Sequence, residues 1–503
     1  MLRTLALLGF LAVPPLQAQT AVDTAGVGEL IARAIGQSEV MGHLQHLTDV
    51  IGPRLSGTAA MQRANEWAAD RLRGYGLTAT LEPYSFGVTW ERGPLSLQLL
   101  EPFRRPITGF SWAWTAGTGG RALTGPVVLT DLSARDSFTG YRDRVRGAWV
   151  LPKPSAPLWN PDGPPMTADD STRMASSLAL RASLVADTSA AAVEARRQWQ
   201  IDLPHLLRQA GALGTLTDGA KEHALLTMSG SPNRLSPLPN IVISREDYTH
   251  LERLIQSGVT PRVEGRVENR FGRNPVQQWN TVGEIRGSEL PGQIVILGAH
   301  LDSWDLASGT TDNAAGSSVV IEAARLLARS GLRPGRTMRL ILFSGEEQGL
   351  LGARAYAAAH AAEADSIQAV LVLDNGTGAI VGQALQGRGD LEETWRSLLA
   401  PVAHLGADQV RNAVKSGTDH LAFALYGIPA FNFDQWPRGY GHSHHSQSDT
   451  FDKAVEADLA QASAVMAVTG WELANLPTLL PRGPKPGPER IPDRPSAGVA
   501  GGR

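Results

Sequence analysis

Histidine and carboxylate side chains follow four short apolar runs in the C-terminal half of the chain, directly after the first three runs and after a Gly- and aromatic-rich loop in the fourth. These groups are Gly298-Ala299-His300-Leu301-Asp302, Ser344-Gly345-Glu346-Glu347, Asp374-Asn375 and the stretch His442–Asp449. A fifth group, Asp312-Asn313, opens a helical stretch. The sequence has no cysteine, so any metal has to be held by His, Asp and Glu. Imidazole and carboxylate ligands fit zinc, and less specifically cobalt or manganese.

Each of these groups has an ordinary structural explanation when it is taken alone. A single histidine after a strand is usually a loop residue, paired glutamates can complement a helix dipole, and an aspartate can cap a helix. All of them together at successive strand ends indicate two metal ions that share one bridging carboxylate. Adjacent residues point in different directions, so we expect Glu346 and Glu347 to differ in role. One binds metal, and the other takes a proton from the water between the ions.

The elements that must position these groups form an α/β pattern. Strands buried on both faces are predicted for Gln293–Ala299, Met338–Phe343, Ala369–Leu373 and Pro429–Phe433. Helical stretches at Ala314–Ala328 and Leu350–His360 separate them, as a largely parallel sheet requires. The fold class is therefore α/β, with a mostly parallel or mixed central sheet flanked by helices. Ligands in such sheets bind beyond the carboxyl ends of the strands, so one crevice should gather the polar groups.

Length and patterning divide the 503 residues into several parts. Residues 19–107 and 272–476 are predicted to form one discontinuous domain, with helices from Val27 to Gly76 and a strand near Ala79–Tyr84. Residues 108–271 form a β-rich insertion. The 46 basic and 49 acidic residues give a net charge of −3, which argues against nucleic acid or an anionic membrane as the partner.

The two ends of the chain are predicted to lie outside the fold. Residues 1–18 carry Arg3, an apolar run from Leu5 to Val13 and a small residue at Ala18, the pattern of a secretory signal peptide. That run is too short to span a membrane. Residues 477–503 are rich in Pro, Gly and Arg and are predicted to be a disordered tail. The sequence therefore indicates a periplasmic or secreted protein.

The motifs around the polar groups resemble those of the family-28 metallopeptidases, which include dizinc aminopeptidases and glutamate carboxypeptidases. The resemblance rests on His300-Leu301-Asp302-Ser303-Trp304-Asp305, Glu346-Glu347-Gln348-Gly349, the stretch Gly331–Leu340 and Gly52-Pro53-Arg54-Leu55-Ser56-Gly57. It implies the zinc exopeptidase fold, two zinc ions per chain and peptide substrates. A homodimer is compatible with it.

The resemblance also implies roles for individual residues. The implied metal ligands are His300, Asp312, Glu347, Asp374 and His445. Asp312 would bridge the ions, His300 and Asp374 would hold one, and Glu347 and His445 the other. Glu346 would be the general base and later the acid that protonates the leaving amine. Asp302 would orient His300 without touching metal. The Asp312-Asn313 pair resembles a family site with a cis peptide bond.

The adjacent histidines 444 and 445 are distinguished by the family pattern. A histidine ligand is followed there by a small hydroxyl residue, two variable positions, an acid and threonine. His445, with Ser446, Asp449 and Thr450, fits that spacing, and His444 does not. Some relatives have a tyrosine before the ligand that donates a hydrogen bond to the tetrahedral intermediate. His444 occupies this position and is a candidate oxyanion donor; the alternative is a spare loop histidine.

The substrate pocket is less well defined by sequence. The insertion resembles a protease-associated domain in Gly147-Ala148-Trp149-Val150-Leu151 and similar motifs. The segment Ser416–His420 resembles a pocket-lining segment, although a structural loop is an equal alternative. Asp419 could bind a substrate amine and Arg438 a substrate carboxylate, so the direction of recognition stays open.

Three functions are compatible with these motifs. The leading hypothesis is an exported dizinc exopeptidase that acts on short peptides as a dipeptidase, aminopeptidase or carboxypeptidase. A glutaminyl cyclase on the same fold would use a single zinc and lack a full second ligand set. A non-catalytic receptor-like homologue would have lost ligands or the Glu346 base. No ligand and no base is missing from the motifs, which favours the exopeptidase.

Overall fold

The computed structural model describes residues 24–155 and 190–483. The predicted signal peptide and residues 484–503 of the predicted tail lie outside this range. Two eight-stranded sheets organise the described residues. None of the helices in the described ranges combines the length and the apolar character needed to cross a membrane.

The first sheet is mixed and lies at the centre of the predicted discontinuous domain. Its strands are β1 Thr78–Glu91, β10 Arg270–Ile285, β11 Leu290–His300, β12 Arg336–Phe343, β13 Ile367–Val372, β14 Ile380–Ala384, β15 Gln409–Arg411 and β16 Ala430–Gln435. They lie in the order β1-β10-β12-β11-β13-β16-β14-β15. The contiguous strands β12, β11, β13 and β16 are mutually parallel. These are the four predicted strands, so the α/β fold class and the central sheet are confirmed.

Helices cover both faces of this sheet. They are Thr24–Gly36, Val40–Gln45, Ala59–Gly74, Ala315–Arg329, Leu351–Ala359, Glu392–Leu399, His420–Ala424, Tyr440–Ser443 and Glu456–Asn475. Short turns of other helical types lie at His46–Ile51, Thr310–Ala314, Ala361–Ser366, Gly389–Leu391, Ala400–Leu405 and Phe451–Lys453. Along β11, Val295 and Leu297 pack into one core while Ile294 and Ile296 pack into the other. Because both faces are buried, residues 294–297 are all apolar rather than alternately apolar and polar.

The second sheet is built mainly from the predicted insertion. Its strands are β2 Leu95–Glu101, β3 Arg105–Pro106, β4 Gly109–Ser111, β5 Leu123–Leu129, β6 Trp149–Leu151, β7 Gly214–Asp218, β8 Asn240–Ile243 and β9 Arg262–Val267. The helices Phe138–Tyr141, Ala190–Ala210 and Arg245–Gln256 accompany it. This sheet already begins at β2, before the predicted boundary at residue 108, because β2 pairs along its length with β9.

The C-terminal boundary also differs from the prediction. Residues 477–483, which the composition assigns to the tail, pack against the first domain. Leu480 is buried, and its N–H donates to Oε1 of Gln368 at 2.7 Å. The Arg482 side chain donates to the carbonyl oxygen of Asp365 at 2.9 Å. These contacts extend the folded chain beyond the predicted limit at residue 476.

Candidate metal centre

The carboxyl ends of the parallel strands bring the predicted residues together. His300 is the last residue of β11 and lies beside Phe343, the last residue of β12. Glu346 and Glu347 follow β12 in the turn after Ser344, and Asp374 follows the end of β13. The parallel register therefore places these side chains at one edge of the sheet, as the sequence predicts.

Asp312 lies between two histidines. Its Oδ1 is 3.3 Å from Nε2 of His300, and its Oδ2 is 3.3 Å from Nε2 of His445. On one side, His300 Nε2 is also 3.3 Å from Oδ1 of Asp374. On the other side, His445 Nε2 is 2.9 Å from Oε2 of Glu347. The five predicted ligands thus form two adjacent groups that share one carboxylate.

The electrostatics of this centre fit a bound cation. Oδ2 of Asp312 and Oε1 of Glu347 are buried and have no hydrogen-bond partner among the described residues. Burial raises the pKa of Glu347 well above its usual range, and the Asp312 carboxylate raises it further. Burial lowers the pKa of His445, which favours the neutral imidazole that binds metal. Divalent cations would neutralise these carboxylates and occupy the unpartnered oxygens, so the residues present fit zinc.

Asp302 contacts two of the predicted site residues, His300 and Glu346. Nδ1 of His300 is 3.0 Å from the backbone carbonyl oxygen of Asp302 and 3.5 Å from its carboxylate Oδ1. The backbone oxygen is therefore the nearer partner of the imidazole. The carboxylate accepts hydrogen bonds from Ser56 Oγ at 3.1 Å and from the backbone N–H of Glu346 at 3.3 Å. Ser56, in the early Gly-Pro-Arg motif, is a residue for which the sequence analysis gave no role.

Asp449 positions the backbone of Asp312. Its Oδ1 accepts the N–H of Thr311 at 2.5 Å, and its Oδ2 accepts the N–H of Asp312 at 3.1 Å. The peptide bond between Asp312 and Asn313 is cis, in agreement with the resemblance. Burial, followed by the Asp312 charge, raises the pKa of Asp449 to about 7. The family spacing that distinguishes His445 contains this acid, but only the fold reveals what it holds.

Arg54 organises the loop that joins His300 to Asp312. Its side chain is fully buried and donates hydrogen bonds to the backbone carbonyl oxygens of Leu47, Gly52, Leu301, Ser308 and Gly309. Burial lowers the pKa of Arg54 to about 10, although the carboxylates around it, Asp449 first, oppose this shift. One guanidinium thus satisfies carbonyl groups from two distant segments of the chain.

Replacing Arg54 by methionine is expected to destabilise the protein by about 3–5 kcal/mol, because it leaves several buried carbonyl groups without a donor. Urea denaturation would measure the loss. Arg33→Met is the matched control, because Arg33 is partly exposed and pairs with Glu29 on the surface. We expect that control to change stability by less than about 1 kcal/mol. Equal losses in the two variants would contradict the role given to Arg54.

The remaining predicted residues lie in different positions. Nε2 of His444 is 3.8 Å from Oδ2 of Asp312, and its ring stacks on that of His445 at 3.8 Å between centroids. Asp419 is fully buried, with no hydrogen-bond partner for either carboxylate oxygen among the described residues. Arg438 instead lines a separate cavity beside Trp436, and its Nε donates to Oδ2 of Asp458 at 2.7 Å. The structure thus brings His444 to the centre but directs Arg438 to another partner.

Two aromatic residues complete the surroundings of the centre. Trp304 lines the cavity with Asp312, Glu347 and His445, and its ring is 5.9 Å from that of His445 in an edge-to-face arrangement. The ring of Tyr440 is 5.0 Å from that of His444. Trp304 lies in the motif quoted for the resemblance, and Tyr440 begins the short helix before His444.

Comparison with known proteins finds related peptidases. Residues 280–469 match the description of peptidase family M28. Carboxypeptidase Q of Bos taurus is 28% identical over 461 residues, which cover 90% of each chain. The motifs of the sequence also resemble carboxypeptidase Q, and that resemblance is confirmed.

Solved structures share the fold. A peptidase M28 precursor from Shewanella amazonensis SB2B has a TM-score of 0.74 at 23% identity, with 92% of this chain and 99% of that chain covered. The zinc aminopeptidase BSAP from Bacillus subtilis has a TM-score of 0.61 at 20% identity, with 86% and 94% covered. At these identities the likeness concerns the arrangement of sheets and helices alone.

Proposed function

We propose that the protein is a two-zinc exopeptidase acting on short peptides. The premise is the match of residues 280–469 to peptidase family M28. The observation that supports this most directly is the Asp312 carboxylate, whose two oxygens each lie 3.3 Å from a different histidine. One carboxylate so placed can serve two cations at once. The family and the zinc aminopeptidase fold support zinc as the metal.

The roles of the residues follow from their chemistry. His300 and Asp374 would hold one zinc, Glu347 and His445 the other, and Asp312 both. When bound, the zinc ions polarise a substrate carbonyl and lower the pKa of water. Glu346 would accept the proton of the attacking water and deliver it to the amine that leaves when the peptide C–N bond breaks. His444, half-exposed beside Asp312, would donate a hydrogen bond to the developing oxyanion.

The raised pKa of Glu346 suits this double role. Burial raises it well above the usual range of a glutamate, and the nearby carboxylates of Asp374 and Asp419 raise it further. A carboxyl group with a raised pKa accepts a proton more readily than an ordinary glutamate and can later return it. The adjacent Glu347 has its Oε2 2.9 Å from Nε2 of His445 and would bind metal instead.

Hydrolysis of a panel of dipeptides and end-blocked peptides, followed by mass spectrometry, tests the proposal. We expect cleavage that stops on chelation and returns when zinc is added, because the ligand set needs metal to act. The blocked peptides identify which terminus is recognised. A protein that binds zinc but cleaves none of the peptides would contradict the exopeptidase and favour a binding protein.

A glutaminyl cyclase with one zinc is the alternative function. Peptides with an N-terminal glutamine, included in the same panel, would then lose ammonia rather than a residue. Asp312 lies between His300 with Asp374 on one side and His445 with Glu347 on the other, which favours two zinc ions and therefore the exopeptidase. Metal analysis of the purified protein separates the two, since the cyclase would bind one zinc per chain. Export through the predicted signal peptide is part of the proposal, and N-terminal sequencing of the secreted protein would test it.

A further inference from the structure

The stretch 440–449, called here the histidine loop, is held from outside its own domain. It carries His444 and His445, and it begins with the short helix Tyr440–Ser443. The residues that touch it lie within the stretch 218–228, which we call the latch segment. This segment begins at Asp218, the last residue of β7 in the second sheet. The contact joins parts of the chain that are more than 200 residues apart, as in the bond from Lys221 to His444 with a separation of 223.

Lys221 of the latch segment binds the end of the short helix. Its Nζ donates to the carbonyl oxygens of Gly441 at 2.8 Å, His442 at 3.2 Å and His444 at 2.6 Å. The last carbonyl groups of a helix have no partner within the helix, and an ammonium group can satisfy them. With three hydrogen bonds, all the N–H groups of this ammonium are used for the loop.

Three further hydrogen bonds join other residues of the latch segment to the histidine loop. The side-chain amide of Gln447 accepts the N–H of Leu226 at 2.9 Å and donates to the carbonyl oxygen of Ala224 at 2.8 Å. The N–H of Met228 donates to the carbonyl oxygen of His445 itself at 2.9 Å. The backbone on both sides of the imidazole ligand is thus bonded to the latch segment.

The latch segment is itself fixed to the second sheet. Asp218 accepts the N–H of Ala220 at 2.9 Å and a hydrogen bond from Arg245 at 2.7 Å. The N–H of Gly219 donates to the carbonyl oxygen of Ile243 in β8 at 2.8 Å. Leu226 and Met228 are fully buried. A continuous set of contacts therefore runs from the second sheet to the histidine loop.

The backbone of His445 needs such external support. Its φ angle is +56°, in the left-handed region that residues with a side chain rarely adopt. Conformations of this kind persist when surrounding contacts fix them. His445 Nε2 reaches Asp312 and Glu347 from this backbone position.

We propose that Lys221 and Gln447 are positioning residues through which the second sheet completes the Glu347–His445 half of the metal centre. This inference rests on the proposed function. The His300–Asp374 half is built on β11 and β13 of the first sheet and does not depend on the latch segment. Removing either positioning residue weakens the second zinc site and leaves the first unchanged.

The positive charge of Lys221 lets the change in zinc affinity distinguish positioning from simple charge repulsion. Burial lowers the pKa of Lys221 to about 8, and attraction to the Asp312 and Asp449 carboxylates opposes this shift. If its charge were all that mattered, its removal would strengthen the binding of a divalent cation, because a repulsive positive charge would be lost. Loss of positioning instead weakens binding.

Zinc titration of the metal-free full chain by calorimetry, with Lys221→Met, Gln447→Leu and the double variant, tests the inference. Lys415→Met is the matched control, because Lys415 also donates to a backbone carbonyl, that of Phe433 at 2.7 Å, but contacts the first sheet. We expect one of the two zinc affinities to fall roughly 10- to 100-fold in each test variant while the other stays unchanged, as for other residues that orient metal ligands. Activity lost at limiting zinc should return at high zinc, and the control should bind both ions normally.

Different results overturn different conclusions. Unchanged or stronger zinc binding in both Lys221→Met and Gln447→Leu would overturn the positioning role. If the wild-type protein hydrolysed peptides in the same experiment, the proposed function would stand. An equal loss of both zinc sites would also overturn it, because the latch segment would then act on the whole fold. A wild-type protein that binds fewer than two zinc ions would overturn the proposed function and this inference together.

Discussion

Replacing Glu346 by glutamine is expected to lower kcat by about 10²–10⁴-fold while both zinc ions stay bound. The substitution keeps the size of the side chain but removes the group that accepts the proton. A loss of this size corresponds to about 3–5 kcal/mol of transition-state stabilisation. Peptide hydrolysis under saturating substrate, with zinc content measured on the same sample, checks both parts of the expectation.

The neighbouring residue provides the sharpest comparison. In Glu347→Gln we expect one zinc ion to be lost, because the Oε2 of Glu347 lies 2.9 Å from the His445 imidazole. Glu363→Gln is the neutral control, since Glu363 pairs with Arg339 away from the centre. Normal activity in Glu346→Gln would remove Glu346 as the base. Loss of zinc from that variant would instead make it a ligand.

Replacing Asp312 by asparagine is expected to abolish activity and to weaken the binding of both zinc ions. The carboxylate has one oxygen facing His300 and the other facing His445, and an amide offers a single uncharged oxygen in its place. The loss of negative charge also removes attraction for both cations. Zinc titration followed by a peptide assay in excess zinc measures the two effects separately.

Asp305→Asn is the matched control for this variant. Asp305 belongs to the same loop, but its carboxylate accepts hydrogen bonds from Arg92 at 2.7 and 2.8 Å rather than facing the histidines. We expect it to bind both zinc ions and to retain most activity. If Asp312→Asn bound both ions as tightly as this control, Asp312 would not be the bridging ligand.

Sequence patterns predicted the central sheet because local signals are strong there. The strands β11, β12, β13 and β16 are buried on both faces and therefore read as continuous apolar runs. Each predicted ligand on the first three of these strands lies at or just after a strand end, so the periodicity that predicts the strand also places the ligand. The choice of His445 over His444 came from a spacing of a few residues.

Domain limits were predicted less well because they depend on pairing between distant segments. Nothing local in Leu95–Glu101 indicates that its partner is β9, 160 or more residues later, rather than a strand of the first sheet. The Pro-, Gly- and Arg-rich composition after residue 477 likewise gives no sign of the hydrogen bond between Leu480 and Gln368. The division into domains made from sequence stays a prediction with these limits adjusted.

The residue types and strand ends that form the metal centre were thus determined by the sequence itself. Only the tertiary structure decided which groups support them. Arg54, Asp449 and Lys221 act through hydrogen bonds to or from backbone groups far away in the chain. Every residue offers the same backbone N–H and C=O groups, so a partner of this kind leaves no signature in the sequence. The ion pair between Arg438 and Asp458 likewise forms only because the fold brings the two side chains together.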